Sequence, residues 1–151
     1  MDADFINAKQ QKARELFLAG ANCSQAVLGA FQEEIGLEMD TLLKLASGFG
    51  GGMARMREVC GAVSGMFLAA DLIKGSASLT DKAAKDAQYA FLQELAAKFK
   101  AETGSIICRE LLGLPAGPDA PVSTPRTPAF YHKRPCAEMV ALAAGILAEA
   151  L

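Results

Sequence analysis

The sequence predicts an all-α fold: a single-domain bundle of about six helices with a long proline-rich loop before the last one. Three observations carry this. Alanine and leucine dominate while valine, isoleucine and threonine are sparse, which favours helix over strand. Apolar residues recur at helical spacing between glycine stops. All six prolines crowd into one stretch, 115–135. At 151 residues, one domain spanning 1–151 is large enough to bury a core without covalent staples.

Taken in order, residues 4–19 place Phe5, Ile6, Ala13, Leu16 and Phe17 on one helical face, and Gly20 ends the segment. Asn22 then reads as an N-cap with Gln25 three residues on, a capping box. Cys23, Ala26, Val27, Ala30, Phe31 and Ile35 continue as an amphipathic stripe that Gly36 stops. The segment "MDTLLKLASGFGGG" predicts a turn or two of helix and then a glycine loop. The next helix starts near Cys60 and runs to Lys74. Thr80 or Asp81 opens a long amphipathic helix closed by Gly104, and Ser105 caps a short one that halts at Gly113. The segment 115–135 reads as an extended loop, a length usually reserved for lids or disorder. Pro135 opens the final helix, where proline is best tolerated.

Composition narrows the function. Apolar residues make up 52% and charged residues 21%, with a net charge of -2. The basic residues are scattered, so the cationic footprint of a nucleic-acid binder is missing. The beginning, "MDADFINAKQQKARELF", is acidic and amphipathic rather than a basic end leading into an apolar signal. No apolar stretch reaches the ~20 residues that cross a bilayer. The expectations are a cytoplasmic protein with no nucleic acid and no membrane as partner. In that compartment four cysteines point to metal binding, catalysis or burial rather than structural disulfides.

The cysteines share a position. Cys23 follows the cap Asn22, Cys60 opens its helix, Cys108 follows Ser105 by three residues, and Cys136 follows Pro135. All four fall in the first turn of a predicted helix, and each begins the apolar stripe of that helix. The unpaired amides at a helix start carry about half a positive charge and favour an anion there. Thiolates are the metal-binding and nucleophilic form of cysteine, and helix starts are among the settings that depress a thiol pKa. Four such ends brought together suit a tetrathiolate centre, such as an iron–sulfur cluster. Cysteine is also a frequent small hydrophobe of cores, so any one of the four could simply be packed. No Cys-x-x-Cys pair occurs, which argues against a zinc ribbon or a thioredoxin motif.

The strings "GANCSQAVLGAF", "GFGGGMARMREVCGAVSGMF", "SIICRELLGL" and "KRPCAEMVALAAGIL", in this order, resemble the redox-active family named for its C_GCAxxG_C_C cysteine pattern. The signature Cys-Gly-Ala-x-x-Gly is residues 60–65. The resemblance implies a redox-active protein whose characteristic cysteines are Cys23, Cys60, Cys108 and Cys136, with an iron–sulfur or similar prosthetic group. Some members carry a twin-arginine export signal, which does not occur in this sequence. The pattern is also similar to the iron–sulfur domain of split-Soret cytochromes, but the Cys-x-x-Cys-His haem attachment is missing, so haem is not expected.

Around the cysteines, Gly48, Gly50, Gly51 and Gly52 would let backbone amides approach a cluster or an anion; a tight interhelical turn is the alternative. Gly61 and Gly65 share a helix face and suit close packing of a neighbouring helix. Arg55, Arg57, Arg109 and Arg134 lie near cysteines and would favour thiolate or hold an anionic substrate, unless they pair with acids such as Glu58 and Glu110. His132 is the single histidine, a proton shuttle or substitute ligand if it faces the site and otherwise an exposed loop residue. Phe130 and Tyr131 would cover the site or anchor the loop. The site set is therefore Cys23, Cys60, Cys108 and Cys136 as metal ligands, or as redox thiols without metal, with Gly50, Gly51, Gly52, Arg57 and Gly61 around the cofactor. Three functions compete. The first is an iron–sulfur protein for electron transfer or redox sensing, working with a redox partner protein. The second is a cofactor-free thiol–disulfide oxidoreductase cycling Cys60 with a resolving cysteine. The third is a structural module stabilised by zinc or by free thiols. The apolar content and helical architecture also suit a homodimer.

Overall fold

The computed structural model describes residues 2–151. Among them the chain forms nine helices and no named strand, an all-α fold: α1 (Ala3–Leu18), α2 (Cys23–Ala30), α3 (Gln32–Ile35), α4 (Met39–Ala46), α5 (Gly61–Lys74), α6 (Lys82–Thr103), α7 (Cys108–Leu112), α8 (Pro128–Lys133) and α9 (Cys136–Ala150). No helix is long and apolar enough to cross a membrane among the described residues.

The count exceeds six for local reasons. The stripe expected from Cys23 to Ile35 is broken at Phe31, whose backbone leaves the helical region (φ -102°, ψ 21°), so α3 follows as a separate turn. Gly36 ends α3 at φ 82°, a left-handed conformation that glycine adopts without steric cost. The proline-rich segment is not wholly a loop. Thr127 caps α8 by accepting from the Phe130 amide at 3.2 Å, and Pro128 sits at its first position.

Helices α2, α5 and α9 form the centre, with α1 laid across α9 and α2. Their buried side chains include Phe17, Val27, Leu28, Val63, Met66, Val140 and Leu147. Each such burial contributes roughly 1.5–3 kcal/mol of transfer free energy. The long α6 fully buries only Leu95 and Phe99, with Phe91 and Leu92 partly buried against the core. The α2–α5 contact depends on small residues. A Cβ on Gly65 would sit 2.5 Å from the Ser24 carbonyl oxygen, so the two backbones nearly touch there.

The start of α2 is fixed by polar contacts. Asn22 Oδ1 accepts from the Gln25 amide at 2.9 Å, and Gln25 Oε1 accepts in turn from the Asn22 amide at 2.9 Å. The buried Ser24 hydroxyl donates to the Ala46 carbonyl at 2.7 Å, and Gln25 Nε2 donates to the Leu43 carbonyl at 3.0 Å. These bonds satisfy carbonyls left open at the end of α4 and lock α2 to it. Capping of this kind is worth about 1 kcal/mol per helix.

Candidate functional site

Cys23, Cys108 and Cys136 are the first residues of α2, α7 and α9, and Cys60 is the N-cap of α5. Ser105 does not cap α7. Its hydroxyl accepts from the Ile107 amide and donates to Glu110, while an isolated antiparallel bridge pairs Val59 with Ile107. That bridge aligns two cysteines. The Cys60 amide donates to the Ile106 carbonyl at 2.7 Å, and the Cys108 amide donates to the Glu58 carbonyl at 2.6 Å. The other two starts are brought in by packing, since a Cβ on Gly61 would lie 3.1 Å from Cys23 Cβ.

All four cysteines line one cavity of about 360 Å³, at the small end of the range for ligand pockets. Gly50, Gly51, Gly52, Gly61 and Arg57 line it as well. The four thiols are unbridged. Among the described residues no three His, Cys, Asp or Glu side chains converge to hold a single metal ion.

The glycine loop has an unusual backbone. Gly51, Gly52, Met53, Ala54 and Arg55 all have positive φ, from 51° to 72°, and Arg57 adds another at 60°. Amides of this run donate back to carbonyls of residues 48–52 (Ala54 to Gly48 at 2.8 Å, Glu58 to Gly52 at 2.8 Å), forming a left-handed helical coil. Side chains disfavour this conformation by roughly 1–2 kcal/mol per residue, so four non-glycine residues hold considerable strain. Ala54→Gly relieves one such residue and removes only a methyl group. It is expected to raise unfolding stability by about 0.5–1 kcal/mol in urea titration; a loss would show that the methyl is a needed contact.

The strain has a product. It packs Gly52 against Cys108, with a hypothetical Cβ 2.6 Å from Cys108 Cβ, and it turns Arg55 and Arg57 toward the cavity and the proline-rich segment. Arg57 is buried, its Nε 2.8 Å from Asp119 and its Nη1 3.6 Å from Cys108 Sγ. Arg55 donates to the Ala120 carbonyl at 2.9 Å and to the Thr124 hydroxyl at 3.0 Å. The segment after α7 is thus strapped over the cavity mouth by arginines.

Arg134 also lines the cavity, whereas Arg109 does not: it pairs with Glu58 at 3.1 Å and donates to the Arg57 carbonyl. His132 is exposed and does not line the cavity. Phe130 lines the wall, and Tyr131 packs edge-on against it and Phe17. Sequence reasoning missed Arg126. Its guanidinium lies 4.5 Å from the Phe17 ring centroid and 4.9 Å from that of Phe130, and it donates to the Phe17 and Ala21 carbonyls. Nothing in the local sequence marks it, because the carbonyls that accept its hydrogen bonds lie more than 100 positions away.

The thiols are electrostatically unequal. A hydrogen bond from Cys23 holds the Cys136 thiol down to about 7 against the opposition of burial, helped by Arg134, Arg126 and Arg57. The same bond, with burial, raises Cys23 well above the ordinary thiol value. Burial pushes Cys60 up to about 12 although the amides of Ala62 and Val63 at the α5 start pull the other way. The helix-start effect is therefore present but loses to desolvation at Cys60.

The family model described as "Putative redox-active protein (C_GCAxxG_C_C)" matches residues 21–150. The chain belongs to this family. No curated protein and no solved structure gave a match. The matched span of this C_GCAxxG_C_C protein contains all four cysteines, the strained loop and the lid, and leaves out only α1 and its flanks.

Proposed function

We propose that this redox-active protein holds an iron–sulfur cluster in the four-cysteine cavity and serves electron transfer or redox sensing, in a reducing compartment such as the cytoplasm, with a redox protein as partner. The observation that supports it is the convergence of four thiols from four separate helix starts on one cavity that a buried arginine also faces. Cys23, Cys60, Cys108 and Cys136 would be the ligands. A zinc ion suits the geometry less well, since it needs its ligands on one point and the described residues offer no such group. Bound there, a cluster supplies one-electron chemistry. The protein's own part is to neutralise negative charge through the helix starts and Arg57, and to limit water through the lid.

The test is iron and sulfide analysis with a visible spectrum after anaerobic purification. Stoichiometric iron and sulfide, lost when Cys136 or Cys23 is changed to serine, is the expected result. A colourless, iron-free protein would sink the reading.

One observation favours a second reading, a thiol–disulfide oxidoreductase. Cys23 and Cys136 share a hydrogen bond that raises the one thiol and lowers the other, to about 7, which favours Cys136 as the thiolate. Cys60, the nucleophile expected from sequence, is too basic for that role; Cys136 would attack and Cys23 would resolve. In the reduced, iron-free chain, iodoacetamide should label Cys136 first. Because its pKa lies below the ordinary value of 9.0, the thiolate is present above about pH 7 and the rate should rise through that pH and then level off. Cys60 should stay unlabelled until far more alkaline conditions. Equal labelling of both at pH 7 would contradict the assignment.

A further inference from the structure

We propose that the cavity also carries a binding site for a small tetrahedral oxyanion, of the phosphate or sulfate type, seated on the free edge of Arg57. The inference goes beyond the cluster reading and stands on the arginines rather than on the sulfurs. Arg57 is only 3% exposed. Two of its nitrogens are engaged, Nε with Asp119 and Nη1 with Cys108. Its Nη2 is buried and has no acceptor among the described residues. Buried donors are almost always answered, and a guanidinium N–H is among the costlier ones to leave open. Arg57 lines the cavity, so an acceptor held inside it lies beside this guanidinium.

The rest of the wall has the same polarity. Arg55, Arg126 and Arg134 line the cavity, and no aspartate or glutamate is among its lining residues. Arg126 spends its hydrogen bonds on the neutral carbonyls of Phe17 and Ala21, so its charge is uncompensated. Arg134 stacks on Phe130 and has no carboxylate partner among the described residues. Asp119 is the one acid at hand, and Arg57 and Arg55 share it. Three cations from separate segments, the glycine loop, the proline-rich stretch and the turn between α8 and α9, line one cavity, an excess of positive charge that a multiply charged tetrahedral anion answers better than a singly charged carboxylate. Arginine's planar fork is the usual partner of such oxygens.

Isothermal titration of the full chain, purified anaerobically, tests this with inorganic phosphate at constant ionic strength, sulfate as competitor and chloride as control. Saturable binding of one phosphate per chain, displaced by sulfate and not by chloride, is expected. Arg134→Gln, at a half-buried position whose side chain makes no hydrogen bond or ion pair among the described residues, should weaken it about tenfold, as should Arg57→Lys, which keeps the charge and loses the fork. Circular dichroism melts identify a variant that fails to fold, and Arg134→Gln then decides alone. Absence of saturable binding, undiminished affinity in Arg134→Gln, or acetate binding as tightly as phosphate would overturn the proposal. Iron analysis of the same samples separates the two readings: iron-free protein that binds phosphate removes the cluster alone, and iron-loaded protein that does not removes the oxyanion site alone.

Discussion

Gly65→Ala is expected to destabilise the protein by about 2 kcal/mol, while Gly145→Ala, an equally buried glycine-to-alanine change, should stabilise it by up to about 1 kcal/mol. Both glycines lie inside helices, where alanine gains about 1 kcal/mol from backbone entropy and propensity. The difference lies in what the new methyl meets. At Gly65 it lands 2.5 Å from the Ser24 carbonyl oxygen and 2.9 Å from Ser24 Cα, which are backbone atoms of α2. Neither can move without pushing α2 from α5, and overpacking of that kind costs about 1–3 kcal/mol, occasionally more. At Gly145 the nearest atom is Gln10 Nε2 at 2.5 Å, the end of a flexible side chain that can swing aside. Here propensity wins.

The consequence of Gly65→Ala reaches the site. Cys23 opens α2 and Cys60 caps α5, so separating these helices separates two of the four sulfurs. Urea titrations of the two variants, with unchanged slopes, measure the stability terms. For the cluster proposed above, iron content per folded chain reads the consequence at the site and should fall in Gly65→Ala alone. Opposite signs for the two variants are the core of the prediction; an unchanged or raised stability in Gly65→Ala would mean that α2 can yield to the new methyl group at little cost.

Local chemistry made some of this molecule legible and long-range contact hid the rest. The capping box of Asn22 and Gln25 and the stops at Gly36, Gly104 and Gly113 are written within a few residues of where they act, and the structure has each of them. The position of the cysteines at helix starts is likewise a local property. Helix α8 was readable in principle, since Thr127 followed by Pro128 is a helix entry, but five further prolines in the same stretch masked it. The start of α7 was misplaced because residues 106 and 107 are held extended by Cys60 and Val59, some fifty positions away. The left-handed run from Gly51 to Arg55 contradicts the intrinsic preference of Met53, Ala54 and Arg55. Local consistency fails there because the loop is packed against Asn22 at Gly50 and against Cys108 at Gly52, while Arg55 at its far end is bound to Ala120 and Thr124. Such conflicts tend to sit at functional sites.

Asp119→Ala should cost about 2 kcal/mol, whereas Arg57→Met, which removes the other half of the same pair, should change stability by less than about 1 kcal/mol. Arg57 is buried to 3% exposure and Asp119 is half-exposed, with its side chain 44% accessible. Removing the acid strands a buried guanidinium that already lacks one acceptor. Breaking a fully buried pair this way costs about 3–5 kcal/mol; access from the cavity lets water answer part of the charge, hence the smaller figure. Removing the base instead leaves an aspartate that can rehydrate, and it also withdraws the unmet donor, so the gains and losses nearly cancel. Methionine fills much of the same volume. The lid should loosen in both variants, because Asp119 is where Arg57 holds it, although Arg55 still grips Ala120 and Thr124. Limited proteolysis within 114–127 reads that loosening. The double variant should return most of the stability that Asp119→Ala loses, since no stranded charge remains. Additive losses in the double variant would show that Asp119 stabilises the lid by some route other than the arginine, and that Arg57 is not the strut joining the lid to Cys108.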